Sequence, residues 1–145
     1  MIKERYVNLE VARLLRDKGF NEDCFAKYAN GSCTEKYYDD YRERMMSWEI
    51  KPGELIIPCV DRDKYDIYGD TIPASTQQMA VDWMRTKEVL ITYDLAPIGT
   101  KLMVKVYKRV YGDQDYDWEY KITIVRDTLE DAINDALKYA LEKLL

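Results

Sequence analysis

The chain has no histidine among its 145 residues. Mechanisms that need an imidazole base are thereby excluded, as is every zinc or iron site built on His ligands. Cysteine is scarce: Cys24, Cys33 and Cys59 are irregularly spaced and form no Cys-x-x-Cys pair. They read as small, unpaired thiols of a reducing compartment, not as a disulfide frame or a thiolate metal site. The 6 glycines stand singly, so no phosphate-cradling loop exists and P-loop nucleotide hydrolysis is excluded. No apolar run approaches the roughly 18–20 residues needed to cross a bilayer, and Met1-Ile2-Lys3-Glu4-Arg5 lacks the apolar stretch of a secretion signal. The expectation is a cytoplasmic protein.

What is present is an ordinary globular composition, with 47% hydrophobic and 34% charged residues and no low-complexity tract. It predicts one folded domain over 1–145. The net charge of -5 is unevenly placed. Lys plus Arg stand against Asp plus Glu as 5 to 3 over 1–20, 7 to 12 over 21–70, 6 to 3 over 71–110 and 4 to 9 over 111–145.

Val7, Val11, Leu14 and Leu15 share one helical face and predict an amphipathic helix over 3–18. Gly19 is placed to end it in the left-handed conformation, with Phe20 folding back on its last turn. Cys24–Tyr28 predicts a strand and Asn30-Gly31 a hairpin turn. Over Thr34–Trp48, the residues Tyr37, Tyr38, Tyr41, Met45 and Trp48 fit a helical stripe, although aromatic content also suits a strand; a helical or irregular insertion is favoured. Pro52-Gly53 predicts a turn, Leu55–Ile57 a short strand ended by Pro58, and Asp61–Asp70 an exposed loop. Alternation then predicts strands at Val89–Leu95, at Leu102–Val106 and over Trp118, Tyr120, Ile122 and Ile124. Asp127 or Thr128 caps a final helix with the stripe Leu129, Ile133, Ala136, Leu137, Ala140, Leu141 and Leu144. The fold class is α+β: an antiparallel sheet of about three to five strands packed by an N-terminal, a central and a C-terminal helix.

Candidate sites are few. Asp113, Asp115 and Asp117 alternate as in a calcium loop, but Trp118 and Ile124 occupy the required Gly and Glu positions. Asp61–Asp66 fails in the same way. A carboxylate-metal phosphoesterase stays an alternative, since Asp and Glu alone can hold magnesium, yet nothing selects a particular pair. Tyr37, Tyr38 and Tyr41 form a candidate interface, because tyrosine joins an apolar body to a polar tip. Lys101, Lys105, Lys108 and Arg109 form a candidate nucleic-acid stripe. From Ser75 onward, helix, three strands and helix follow the order of a double-stranded-RNA-binding domain. The last helix, however, opens with Asp127, Glu130 and Asp131, which repel phosphates. No cofactor is implied.

The stretch Thr71–Arg85 reads as a helix entry. Pro73 keeps Ile72 extended, Ser75 caps with Gln78 completing a capping box, and Met79, Ala80, Trp83 and Met84 make the apolar face. Gln77 has no capping role, which points to buried hydrogen bonds. The phrase Pro73-x-x-Thr76-Gln77 with Trp83-Met84-Arg85, the leading helix ending in Gly19-Phe20, and the closing Thr128–Leu145 helix resemble a family of small uncharacterised proteins. That family is carried by phages and prophages of gut Bacteroides-type bacteria. The chain departs from its pattern at Thr86, where an acid is usual, and in a longer 37–70 segment. The resemblance implies a mobile-element origin and a fold, and no activity. The reading that joins these observations is a non-catalytic accessory protein acting through contacts with a host or phage protein or with itself.

Overall fold

The computed structural model describes residues 5–57, 66–95, 101–111 and 116–145. The chain forms two compact units, residues 1–20 with 76–145, and residues 21–75. The fold is mixed α+β. Among the described residues, nine strands in three small antiparallel sheets take the place of the single sheet of about three to five strands.

The first unit opens with α1, Leu9–Asp17, shorter than the 3–18 helix of the periodicity. Asn8 caps it, its Oδ1 accepting from Val11 N at 2.9 Å. Gly19, at φ +95°, ends it. Phe20 N donates to Leu15 O at 2.9 Å and Gly19 N to Arg16 O at 3.1 Å, the paired bonds of a Schellman motif. The Phe20 ring then meets Trp83 edge-on, with centroids 5.5 Å apart.

Helix α2, Gln77–Thr86, leads into a sheet of β7 (Val89–Leu95), β8 (Leu102–Tyr111) and β9 (Tyr116–Arg126), in the order β7-β8-β9. One face buries Val89, Ile91, Val104, Val106 and Ile124. Helix α3, Leu129–Lys143, packs on β8 and β9, α2 packs on β7, and α1 packs on α3. All seven buried residues of α3 fall between Ala132 and Leu141. One is polar: Asn134 Oδ1 accepts from Asn8 N at 3.0 Å, tying the start of α1 to α3. Pairing shifts between Val106↔Ile122 and Tyr107↔Tyr120, so Lys121 is an extra residue, a β-bulge. The bulge corrects the simple alternation. Trp118 and Tyr120 lie on the face opposite Ile122 and Ile124, and Tyr120 is 54% exposed.

The second unit is all β. Strands β1 (Ala26–Ala29), β4 (Leu55–Ile56) and β6 (Thr71–Ala74) form a sheet in the order β4-β1-β6. Strands β2 (Cys33–Asp39), β3 (Arg44–Ile50) and β5 (Asp66–Tyr68) form another in the order β3-β2-β5. Three expectations are corrected here. Residues 34–48 form a hairpin rather than a helical insertion, with Tyr37 opposite Met46 and Glu35 opposite Trp48. Its turn is built by Asp39, whose Oδ1 accepts from Tyr41 N at 3.1 Å, while Glu43 takes φ 53°. Asn30-Gly31 joins no hairpin, because β1 pairs with β4 and β6; Asn30 instead donates Nδ2 to Asp70 Oδ2 at 2.7 Å. The supposed loop contributes β5 at 66–68, while 61–65 lie outside the described residues.

One buried cluster of this unit joins Ala29, Cys33, Ile50 and Ile56, with Ile67 packed against them, and Ala26, Ile72 and Ala74 are buried as well. Gly69 seals it. At φ +123°, a Cβ there would stand 2.9 Å from Cys33 Sγ and 3.0 Å from Ser32 O. Gly69→Ala should therefore lower stability by about 1–3 kcal/mol, from strained backbone and overlap together. Urea denaturation followed by circular dichroism checks this, and an unchanged midpoint would refute it.

Candidate functional site

The Thr71–Arg85 stretch divides between a strand and a helix. Pro73 lies in β6, at the edge of its sheet, where its missing N–H costs no ladder bond. The helix cap is Thr76, not Ser75: Thr76 is extended at ψ 158°, and its Oγ1 accepts from Met79 N at 3.1 Å. Ser75 is 1% exposed, and its Oγ has no hydrogen-bond partner among the described residues. Shifting the cap by one residue also dissolves the expected capping box. Gln78 instead donates Nε2 to Asp82 Oδ1 at 3.0 Å, one turn on.

Gln77 is where the sequence pointed. It is 4% exposed and shares the buried face of α2 with Ala80, Trp83 and Met84. Its backbone N–H, one of the donors a helix start leaves unmet, reaches Arg5 O at 2.8 Å. Its side-chain Nε2 donates to Glu130 O, in the first turn of α3, at 2.9 Å. One residue thus joins the N-terminal segment, α2 and α3.

The same residues line a cleft of about 460 Å³. Thr76, Gln77 and Gln78 stand at one end; Gln78, Val81 and Arg85 then recur along one side of α2. Ile91 of β7 and Leu129 and Ile133 of α3 supply apolar walls, with Arg5 and Tyr93 completing the lining. Among the described residues no acidic side chain lines it, and the first turn of α2 carries none to offset the positive end of its dipole. Sequence reasoning named Thr76, Gln77, Gln78 and Arg85 but missed Arg5, Val81, Ile91 and Ile133. They come from four separate segments, which no local pattern connects.

The tyrosine trio does not form one cluster. Tyr37 stacks on Trp48, centroids 5.0 Å apart and planes at 25°. Tyr38, the next residue on β2, lies on the other face of the sheet, and Tyr41 sits in the turn, 95% exposed. The contiguous apolar surface is built otherwise. Trp48, 45% exposed, and Tyr37 lie on the face that carries buried Ile50, and a second cavity of about 260 Å³ runs from Glu35 and Ile50 to exposed Leu55 and Ile57.

The basic residues are likewise dispersed. Lys105 and Arg109 lie on the uncovered face of the β7-β8-β9 sheet, whereas Lys108 shares the parity of Val104 and Val106 and donates to Lys87 O at 3.2 Å. Lys101 pairs with Asp127 at 3.8 Å, and Arg109 lies 5.8 Å from the centre of the Trp118 ring.

Neither cysteine within the described residues has the setting of a nucleophile. Cys33 is buried and donates to Asp70 O at 3.2 Å; burial first, then the nearby Asp23 and Glu22, pushes the Cys24 thiol up. Cys59, Asp61, Asp63, Asp113 and Asp115 lie outside the described residues. Among the described residues no three His, Cys, Asp or Glu side chains converge to hold a metal. No helix there is long and apolar enough to cross a membrane. Compared with protein-family models, curated proteins and solved structures, the chain gives no match.

The reassigned cap makes a paired prediction. Thr76→Ala should cost about 1 kcal/mol, whereas Ser75→Ala, which removes a hydroxyl that is buried without a partner, should be neutral or slightly stabilising. Thermal melts of the two variants decide it, and the reverse order would return the cap to Ser75.

Proposed function

We propose that the protein is a non-catalytic accessory factor of mobile-element origin that works by docking a protein partner on the face of β2 and β3 bearing Tyr37 and Trp48. The observation that carries this reading is the exposure of that face. On that face Trp48 is 45% exposed, and Leu55 and Ile57 at the end of the adjoining cavity are exposed as well, whereas exposed Met45 and Tyr68, opposite Tyr38 and Thr34, lie on the other face of the sheet. The hairpin carries the Tyr37–Trp48 stack on the same face as buried Ile50. Met46 stands opposite Tyr37 on that face, and Trp, Tyr and Met are residue types enriched at protein interfaces.

Charge selects the partner. Residues 21–75 carry 7 basic against 12 acidic residues, and the rest of the chain 15 against 15, so the whole net charge of -5 resides in this unit. Self-association through the same face would set like charges against each other, so an electropositive host or phage protein suits it better.

A second reading has one observation in its favour. On the uncovered face of the β7-β8-β9 sheet, Tyr107 meets Tyr120 edge-on at 6.0 Å beside Lys105, Arg109 and Trp118, a surface on which unpaired bases could stack. The partners already held by Lys101 and Lys108, and the acidic first turn of α3, weigh against it. The carboxylate-metal phosphoesterase has no supporting cluster among the described residues.

Trp48→Ala with Ile57→Ser should remove most of the binding energy of the face, a loss of at least about 2 kcal/mol, or roughly thirtyfold in affinity. Both side chains are exposed, so the melting temperature should hardly move. Paired capture from infected host cells checks this: a partner retained by the wild type and lost by the double variant is the expected result. Equal recovery with both proteins would sink the reading, and retention on single-stranded RNA that falls steeply with salt would favour the second one.

A further inference from the structure

We propose that the cleft between α2, β7 and α3 binds a small organic acid, holding its carboxylate with arginine and its apolar body on Val81, Ile91 and Ile133. The site is distinct from the partner face and lies wholly within the first unit. Its volume of about 460 Å³ lies within the range of small-molecule sites, roughly 300–1,000 Å³.

Three features select the ligand. Arg5 and Arg85 both line the cleft, and neither forms an ion pair among the described residues. Gln77 and Arg85 are eight positions apart on α2, about 12 Å along the axis, so Arg5, bonded to Gln77 N, and Arg85 stem from opposite ends of the cleft. A guanidinium fork matches a carboxylate, and Arg5, bonded through its carbonyl to Gln77 N, stands at the positive end of α2. The walls between them are aliphatic, which calls for a ligand with an apolar body, not a bare inorganic anion.

Gln77 supplies the third feature. It is 4% exposed, its Nε2 is committed to Glu130 O, and its Oε1 has no hydrogen bond among the described residues although the residue lines the cleft. A carbonyl oxygen of this kind repels phosphate oxygens and accepts an N–H or O–H. The ligand is therefore a carboxylic acid with a branched or aromatic apolar group and a hydrogen-bond donor near the acid, as in an N-acylated apolar amino acid. A free acid and the last residue of a peptide chain share that chemistry.

The test uses the full chain and N-acetyl-leucine as probe, followed by amide chemical shifts. Expected is saturable binding with a Kd at or below about 1 mM, with shifts confined to Arg5, Thr76–Arg85, Ile91 and the first turns of α3. N-acetyl-leucinamide, of equal shape and no charge, should bind at least about tenfold more weakly. Arg85→Gln and Arg5→Gln should each weaken the acid at least about fivefold while leaving the amide unaffected, and melts of both variants confirm that they fold. A hexapeptide ending in Leu separates the two sources: tighter binding than the free acid assigns the site to a chain end, and weaker binding to a free acid. No saturation by about 10 mM acid, equal binding of the amide, or inorganic phosphate competing as well as the acid would each overturn the proposal.

Discussion

The first unit is organised around the two hydrogen bonds of Gln77, from its backbone N–H to Arg5 O and from its Nε2 to Glu130 O. A glutamine is an expensive residue to bury, since its amide loses water on both sides. The backbone bond to Arg5 O is open to any residue but proline, whereas the bond to Glu130 O needs the side-chain amide, which no apolar side chain could replace. The bonds span residues 5, 77 and 130, so they hold together segments that the chain itself keeps far apart. The position of α2 against α3, and with it the width of the cleft, depends on them. Asn134 repeats the device one helix turn further along α3, accepting from Asn8 N where α1 begins. Two buried amides therefore fix the angles of three helices, while Leu15, Met84, Leu137 and Leu141 supply the non-directional part of the core.

The second unit rests on a different balance. Seven hydrophobic residues are buried among those described there, and four of them are Ala or Cys, which bury little apolar area each. Direction comes from strand ladders and from polar ties such as Asn30 to Asp70, and close packing from Gly69 over Cys33. A hairpin that had only stability to serve would cover Trp48 and replace Met45, on the opposite face, with a polar residue, as strands facing water usually do. Their exposure beside 12 acidic residues is a cost in solubility that the negative charge offsets.

Much of the first unit was legible because its signals are local. Gly19-Phe20 announced a Schellman motif, and the Leu/Ala stripe of α3 and the alternation of β7 and β8 announced which face is buried. The errors arose where a local pattern was ambiguous or where pairing decided. In Tyr37, Tyr41, Met45 and Trp48 the spacings of four, four and three mimic a helix, and the hairpin turn between them uses an Asp39 side chain instead of the usual Gly or Pro. The bulge at Lys121 is a property of the β8–β9 pair and leaves no mark on β9 alone. Ser75 and Thr76 are both good caps, and the choice fell to Thr76 because its neighbour Gln77 must begin the helix in order to face Arg5 and Glu130. Gln77 thus set the helix boundary that the capping rule alone misplaced by one.

The two candidate surfaces also differ in electrostatic sense. Arg5, Arg85 and the unneutralised start of α2 give the cleft a positive potential within a unit of balanced charge. The aromatic face belongs to the unit that holds the entire net negative charge. A single ligand of either sign is attracted by one surface and repelled by the other, so occupancy of the cleft and of the face are separate recognition events by chemistry alone. Coupling between them would require a conformational equilibrium that both ligands bias, since charge complementarity keeps their direct competition negligible. The residue through which any change in the cleft would be felt in the rest of its unit is Gln77, because its two bonds reach both the N-terminal segment and α3.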